Sequence, residues 1–154
     1  MHNLTRTLVA VATLLVIAAT TTGSARSQAA TDREAIVKTA LDYIEGYYTG
    51  DAARMERSLH PDLAKRIVRV DPSGKPRLDH RGAPQLVKIA AGRANAPALA
   101  QQTKDVSVLD VFGNAASVKI VANDWIDYLH VAKWEGRWVI VNVLWEMKPV
   151  SRQP

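Results

Sequence analysis

The stretch that decides the architecture is Trp125-Ile126-Asp127-Tyr128-Leu129-His130-Val131-Ala132-Lys133-Trp134, then Glu135-Gly136, then Arg137-Trp138-Val139-Ile140-Val141-Asn142-Val143-Leu144-Trp145-Glu146-Met147. Its valines, isoleucines and aromatics suit a pleated, half-buried surface. Glu135-Gly136 divides it as a compact hairpin turn does. Just upstream, Asp105–Phe112 and Ala115–Ala122 read as two more strands joined at Gly113-Asn114. From Asp105 onward the hydrophobic period is therefore two, and the C-terminal half is predicted to be a four-stranded meander. The alternation stumbles at Asn123-Asp124, which predicts a bulge or sharp bend there.

Toward the N-terminus the period lengthens. Thr31-Asp32-Arg33-Glu34 fits a capping box, and Val37, Ala40, Leu41, Ile44, Tyr47 and Tyr48 form a helical stripe after it. Gly50 supplies a left-handed stop. Asp51 caps a second, short helix with Met55 and Leu59 turned inward, and Pro61 prevents its continuation. Ala64–Val70 and Arg77–His80 flank Asp71-Pro72-Ser73-Gly74 as a hairpin would. Gly82-Ala83-Pro84 starts a third helix that runs to Gly92, and Arg93–Pro97 reads as loop. Helices followed by strands make an α+β fold with helices on one sheet face.

Residues 1–29 stand apart. A basic start, the apolar run Leu8–Ala19 broken only by Thr13, and Ser27-Gln28-Ala29 form the three parts of a signal peptide. The run is too short for the roughly 20 residues that span a bilayer, so no stable membrane anchor is expected. The chain is thus expected to be exported, periplasmic or secreted, with residues 30–154 as one domain. The whole sequence carries +5; removing 1–29 takes away Arg6 and Arg26 and no acid, leaving +3. There is no cysteine, which excludes thiol catalysis, thiolate metal sites and disulfides.

The pieces Tyr47-Tyr48-Thr49-Gly50-Asp51, Leu59-His60-Pro61-Asp62, Asp127-Tyr128-Leu129-His130 and Gly136-Arg137-Trp138-Val139-Ile140-Val141-Asn142-Val143-Leu144-Trp145 resemble, in order and spacing, the nuclear transport factor 2-like superfamily. They look most like its branch named for lumazine binding, over roughly Thr31–Pro149. The resemblance implies a cone-shaped α+β fold, with three N-terminal helices packed on a curved antiparallel sheet. It also implies a pocket between the two, and dimerisation through the sheet is common in the superfamily. Relatives include ketosteroid isomerases, polyketide cyclases and dehydratases beside many binding modules, so fold does not fix function.

If Glu135-Gly136 is a two-residue turn, Trp134 faces Arg137. Trp125, Asp127, Leu129 and Val131 then share a face with Trp138, Ile140, Asn142 and Leu144. The set containing Trp138 and Ile140 matches the cavity wall of the resembled fold. The opposite face carries Val139, Val141, Val143 and Trp145 with Ile126, Tyr128 and Trp134, an apolar surface suited to a homodimer.

Asp127 is the candidate catalytic residue, because a carboxylate in an apolar pocket has a raised pKa; a structural tie to Asn142, a backbone amide or an arginine is the alternative. Asn142 suits a carbonyl or a polar heterocycle. Tyr43 and Tyr47, one helical turn apart, are core residues or point hydroxyls into the pocket. His60 caps the preceding helix or overlooks the cavity mouth. Trp125, Leu129, Trp138 and Leu144 complete the candidate ligand-binding wall. Leu63–Arg93 holds eight basic residues against Asp71 and Asp79; that excess suits an anionic ligand, an envelope surface or a solvated face.

No zinc or calcium motif, phosphate loop or nucleophile elbow occurs, so neither metal nor cofactor is expected. Without aromatics interleaved among the basic residues, no nucleic acid is expected either. Three functions remain: an exported binder of a small apolar or heterocyclic molecule, a cofactor-independent acid/base enzyme of isomerase or cyclase type, and a protein-interaction module using the sheet.

Overall fold

The computed structural model describes residues 27–93 and 101–149. Most of the expected leader, residues 1–26, and residues 94–97 of the expected loop lie outside the described residues. The chain divides into two units, Met1–Glu34 and Ala35–Pro154. In the first, residues 27–34 are helical. Thr31 is inside this helix, where its hydroxyl donates to the Ser27 carbonyl at 3.0 Å, so it does not serve as the N-cap.

The second unit opens with helix α1, residues 35–49, ended by Gly50 at φ 74°. Asp51 caps helix α2 (Ala52–Ser58) by accepting from the Arg54 amide. The two helices meet closely at Gly46, where a Cβ would lie 2.8 Å from the Met55 nitrogen. Asp42 of α1 clasps α2, accepting from Arg54 at 2.8 Å and Arg57 at 3.1 Å, with Lys38 at 2.7 Å. Burial pushes the Asp42 carboxyl up, but the hydrogen bonds from Arg57, Lys38 and Arg54 outweigh it and hold it well below the usual carboxylate range.

Six strands follow: β1 (Leu59–Val70), β2 (Pro76–Gly82), β3 (Lys104–Phe112), β4 (Ala115–Ala122), β5 (Trp125–Trp134) and β6 (Arg137–Met147), with helix α3 (Ala83–Ala91) between β2 and β3. The β1–β2 turn is held by Asp71, whose carboxylate accepts from the Ser73 and Lys75 amides, with Gly74 at φ 83°. The strands form one sheet in the order β2-β1-β6-β5-β4-β3. The meander is antiparallel as expected, but the sheet as a whole is mixed, because β1 joins β6 in parallel. Sequence periodicity carries no information on which strands meet across such a distance. Asn123-Asp124 is a bend and the β4–β5 register runs through without a bulge.

One face of the sheet carries the core. Ile36, Ala40, Tyr43, Ile44 and Tyr48 of α1, Met55 of α2, and Leu86 and Ala90 of α3 pack with Val118, Ile120, Leu129, Val131, Trp138, Ile140 and Val143. This is an α+β arrangement of three helices on a six-stranded sheet.

The β5–β6 hairpin has the expected two-residue turn, Glu135 (φ 49°) and Gly136 (φ 75°), and Trp134 does pair with Arg137. The register then shifts between the pairs Val131↔Ile140 and His130↔Asn142, where Val141 is the extra residue. A bulge inverts the side-chain phase beyond it. Val143 is therefore fully buried and Trp145 turns to the helix side, while Asn142 and Leu144 face outward. The dimer face expected at Val139, Val141, Val143 and Trp145 is not there. Val139 and Val143 are 1% and 0% exposed, Val141 sits at the bulge, and Trp145 packs inward.

Candidate functional site

The inner face concentrates its polarity at one point. Asp127 is 0% exposed and meets three donors. Lys65 Nζ lies 2.5 Å from Oδ1, Trp125 Nε1 donates to Oδ2 at 2.7 Å, and the Tyr43 hydroxyl donates to Oδ2 at 3.3 Å. Lys65 also donates to the Tyr43 oxygen at 2.6 Å. The four groups come from α1, β1 and β5, and the alternation of each strand puts them on one face. Lys65 stands between the buried Leu63 and Ile67 in the inward phase of β1. Trp125 and Asp127 are two residues apart on β5, hence on the same side.

A carboxylate and an ammonium both removed from water are tolerable only as a hydrogen-bonded pair. Burial pushes the Lys65 ammonium below its ordinary value against the opposing pull of Asp127, and the nearby Arg81 charge adds to the drop. Burial also raises the Tyr43 hydroxyl well above its ordinary value, and the Asp127 carboxylate adds to that rise. Tyr43 is thus a neutral donor and acceptor at physiological pH.

Above this cluster is a cavity of about 50 Å³ lined by Tyr43, Ile44, Tyr47, Met55, Lys65, Arg81, Leu86, Ile89, Trp125 and Trp145. Its walls are aromatic: Tyr47 stands edge-on to Trp125 with centroids 5.3 Å apart, and Lys65 Nζ lies 4.8 Å from the Trp145 ring centre. A second cavity of about 170 Å³ shares Lys65, Arg81 and Trp145 with the first and adds Ile67, Arg69, Asp79 and His80. It lies along β1 and β2. A larger open groove of about 430 Å³ runs between α2 and α3, lined mainly by Leu59, Pro61, Ala83, Pro84, Val87 and Ala91. No buried charged cluster borders that groove, so the smaller, polar-floored pair of cavities is the better site.

Of the residues singled out from sequence, the structure brings together Asp127, Tyr43, Tyr47 and Trp125. Asp127 does not itself line the cavity; Lys65, Tyr43 and Trp125 do. The carboxylate therefore positions its three donors and does not present itself to a ligand. Leu129 and Trp138 are on the inner face as expected but belong to the core, 1% and 5% exposed. The Trp138 carbonyl accepts from Thr39 at 2.8 Å. Asn142 is on the outer face, bonded to Arg66 at 2.8 Å and beside His130 at 3.3 Å, and Leu144 is 50% exposed there. The bulge accounts for both. His60 caps no helix: its Nδ1 accepts from the Asp62 amide at 3.1 Å, and its ring stands edge-on to Trp134, 5.0 Å between centres.

From sequence, Lys65 and Arg81 read only as part of the basic excess of Leu63–Arg93, and Trp145 is placed on the opposite face. For Lys65 a signal existed: it occupies the apolar phase of Leu63-x-Lys65-x-Ile67, where a solvated lysine does not belong. For Trp145 none did, since its facing depends on the bulge.

Residues 31–146 match the sequence profile of a family described as "Putative lumazine-binding". Among curated proteins nothing matches. Among solved structures, a nuclear transport factor 2-like protein of unknown function from Shewanella baltica OS155 is similar, with TM-score 0.63 and 21% identity, over 78% of this chain and 96% of that one. Another such protein, from Silicibacter pomeroyi DSS-3, gives 0.62 and 18%, over 77% and 98%. A third, from Methylobacillus flagellatus KT, gives 0.60 and 21%, over 77% and 94%. At these identities the likeness concerns the fold.

Proposed function

The chain belongs to the putative lumazine-binding family of the nuclear transport factor 2-like superfamily, and from that footing we propose that it is a small-molecule-binding domain for a flat heterocyclic or aromatic ligand. The ligand sits in the two adjoining cavities that share Lys65, Arg81 and Trp145, with Tyr43, Tyr47 and Trp125 at the inner end. The observation that carries this reading is the buried cluster itself. A fold held by packing alone gains little from sinking an ion pair, a phenol and an indole N–H into its core. Binding sites are apolar clefts with a few convergent polar groups, which is what these residues make.

Lumazine is the natural first probe. It is expected to raise the midpoint of thermal unfolding in a concentration-dependent way, since a ligand that binds only the folded state stabilises by mass action. The shift should vanish in Trp145→Ala. No shift from lumazine or from related one- and two-ring heterocycles at millimolar concentration would end the proposal.

We further infer that the domain works outside the cytoplasm as a homodimer. Export rests on the leader-like residues 1–29, and N-terminal sequencing of secreted protein should begin at Ala30 or Gln28. Self-association rests on the outer face, where Leu78 pairs with Val68 and Leu144 with Tyr128, all four being exposed. Neighbouring apolar groups on one face favour a second copy, because a two-fold axis lets the patch cover itself. An acid/base enzyme is the weaker reading, since Asp127, the carboxylate singled out as its catalytic group, is shielded from the cavity by its own donors.

A further inference from the structure

We propose that the larger of the two adjoining cavities is a site for a small planar organic anion, an aromatic or heteroaromatic carboxylate. Its charged end would lie between Arg81 and Lys65, and its ring on Trp145 and Ile67. The inference rests on the small-molecule reading above and narrows it to a charge and a size.

Arg81 and Lys65 are register partners on β2 and β1, side by side on the inner face. Like charges placed directly opposite on adjacent strands destabilise a sheet unless something lies between them. Neighbouring carboxylates do not resolve the conflict. Asp79, opposite Ile67, is shared by Arg77 at 2.9 Å and Arg69 at 3.4 Å. Asp127 is already engaged by Lys65, Trp125 and Tyr43 and makes no hydrogen bond or ion pair with Arg81. Among the described residues the Arg81 guanidinium has no hydrogen bond or ion pair. An ammonium has three N–H donors; Lys65 spends two, on Asp127 and Tyr43, and no third acceptor is present among the described residues. The repulsion is felt inside the cluster too, because Arg81 helps depress Lys65. An anion between the two cations would turn that repulsion into two charge-assisted hydrogen bonds.

Volume fixes the rest. A cavity of about 150 Å³ suffices for benzene. The cavity of about 170 Å³ therefore takes one ring, whereas the adjoining 50 Å³ admits only a group of water or carboxylate size. A ring in the larger space lies against Trp145 and Ile67 with its substituent directed inward. Bare phosphate would forgo that apolar contact. A neutral ring would leave Arg81 and Lys65 opposed.

Nicotinate and nicotinamide, which share a ring and differ in charge, test this on the full chain. The indole N–H signals of Trp125 and Trp145 in a nitrogen-15 NMR titration are the readout. Nicotinate should shift both saturably, with Kd on the order of 1 mM for about nine non-hydrogen atoms. Nicotinamide should bind at least about tenfold more weakly, and Arg81→Gln, which leaves the Lys65 ammonium in place, should shrink the difference several-fold. Arg81 is exposed, so this variant should keep the circular dichroism of the parent. Equal binding of both probes would overturn the anion site and leave the pocket standing. A nicotinate preference undiminished in Arg81→Gln would also overturn it. Indole signals moved by neither probe nor by lumazine would remove both proposals together.

Discussion

The indole N–H of Trp125 and the carboxylate of Asp127, two residues apart on one face of the same strand, are hydrogen-bonded at 2.7 Å. The bond fixes the ring at the cavity wall and occupies an oxygen that Lys65 does not take. Asp127 thereby converts its charge into the orientation of three neighbours.

Removing that charge should be costly. Asp127→Asn keeps the shape but leaves the Lys65 ammonium buried without a counter-ion, a loss of roughly 3–5 kcal/mol. Trp125→Phe removes one hydrogen bond and should cost roughly 1–3 kcal/mol. The double variant Lys65→Met with Asp127→Leu should recover most of the stability, because both charges go together. Urea unfolding measures all three. A loss below about 1 kcal/mol for Asp127→Asn would show that the pair is solvated in solution.

Acid should loosen the join between the first two helices. The Asp42 carboxyl is held below its usual range in the folded chain, so it contributes stability that is fully present above the unfolded value near 4 and lost as pH falls below it. Asp42→Asn should be less stable at pH 7 and show a flatter profile between about pH 4 and 2. Parallel pH profiles for parent and variant would contradict this.

The bulge at Val141 makes adjacent residues opposites. Val143→Asp places an unpaired charge where nothing is exposed and should cost more than about 4 kcal/mol or prevent folding. Leu144→Asp, half in water, should stay within about 1 kcal/mol of the parent. The reverse ranking would mean the register shift is absent.

Leu144→Asp also bears on assembly. Sedimentation of the parent at tens of micromolar should give a dimer, and this variant a folded monomer, since a charge at the centre of a self-complementary patch is met by its own copy. A monomeric parent would refute self-association.

Much of this was legible in the sequence. The four meander strands could be read almost to the residue, because alternation and turn residues are local signals. Asp127 and Trp125 could be put on one face for the same reason, whereas Tyr43 and Tyr47 join them only through the pocket that the family resemblance implies. Two things were not local. The phase of Asn142, Leu144 and Trp145 turns on one extra residue at Val141, in a run of Val-Ile-Val-x-Val where either phase looks apolar. Lys65 stands out locally by its apolar phase, but its partner Asp127 follows from the parallel pairing of β1 with β6, which no short-range pattern announces.

That pairing has a consequence for the order in which the molecule assembles. The meander β3–β6 closes through turns of two residues, whereas Arg66 meets Asn142 across 76 positions and Lys65 meets Asp127 across 62. Short loops close early and long ones late, since chain entropy opposes distant contacts until enough of the structure exists to reward them. The cavity floor is therefore a final event: Asp127 waits on the formed meander until the β1–β2 hairpin delivers its cation. Pulse-labelled hydrogen exchange should find β4 and β5 amides protected before those of β1. Until that last docking, the chain holds a sheet but no site, and ligand binding reports completion of the fold.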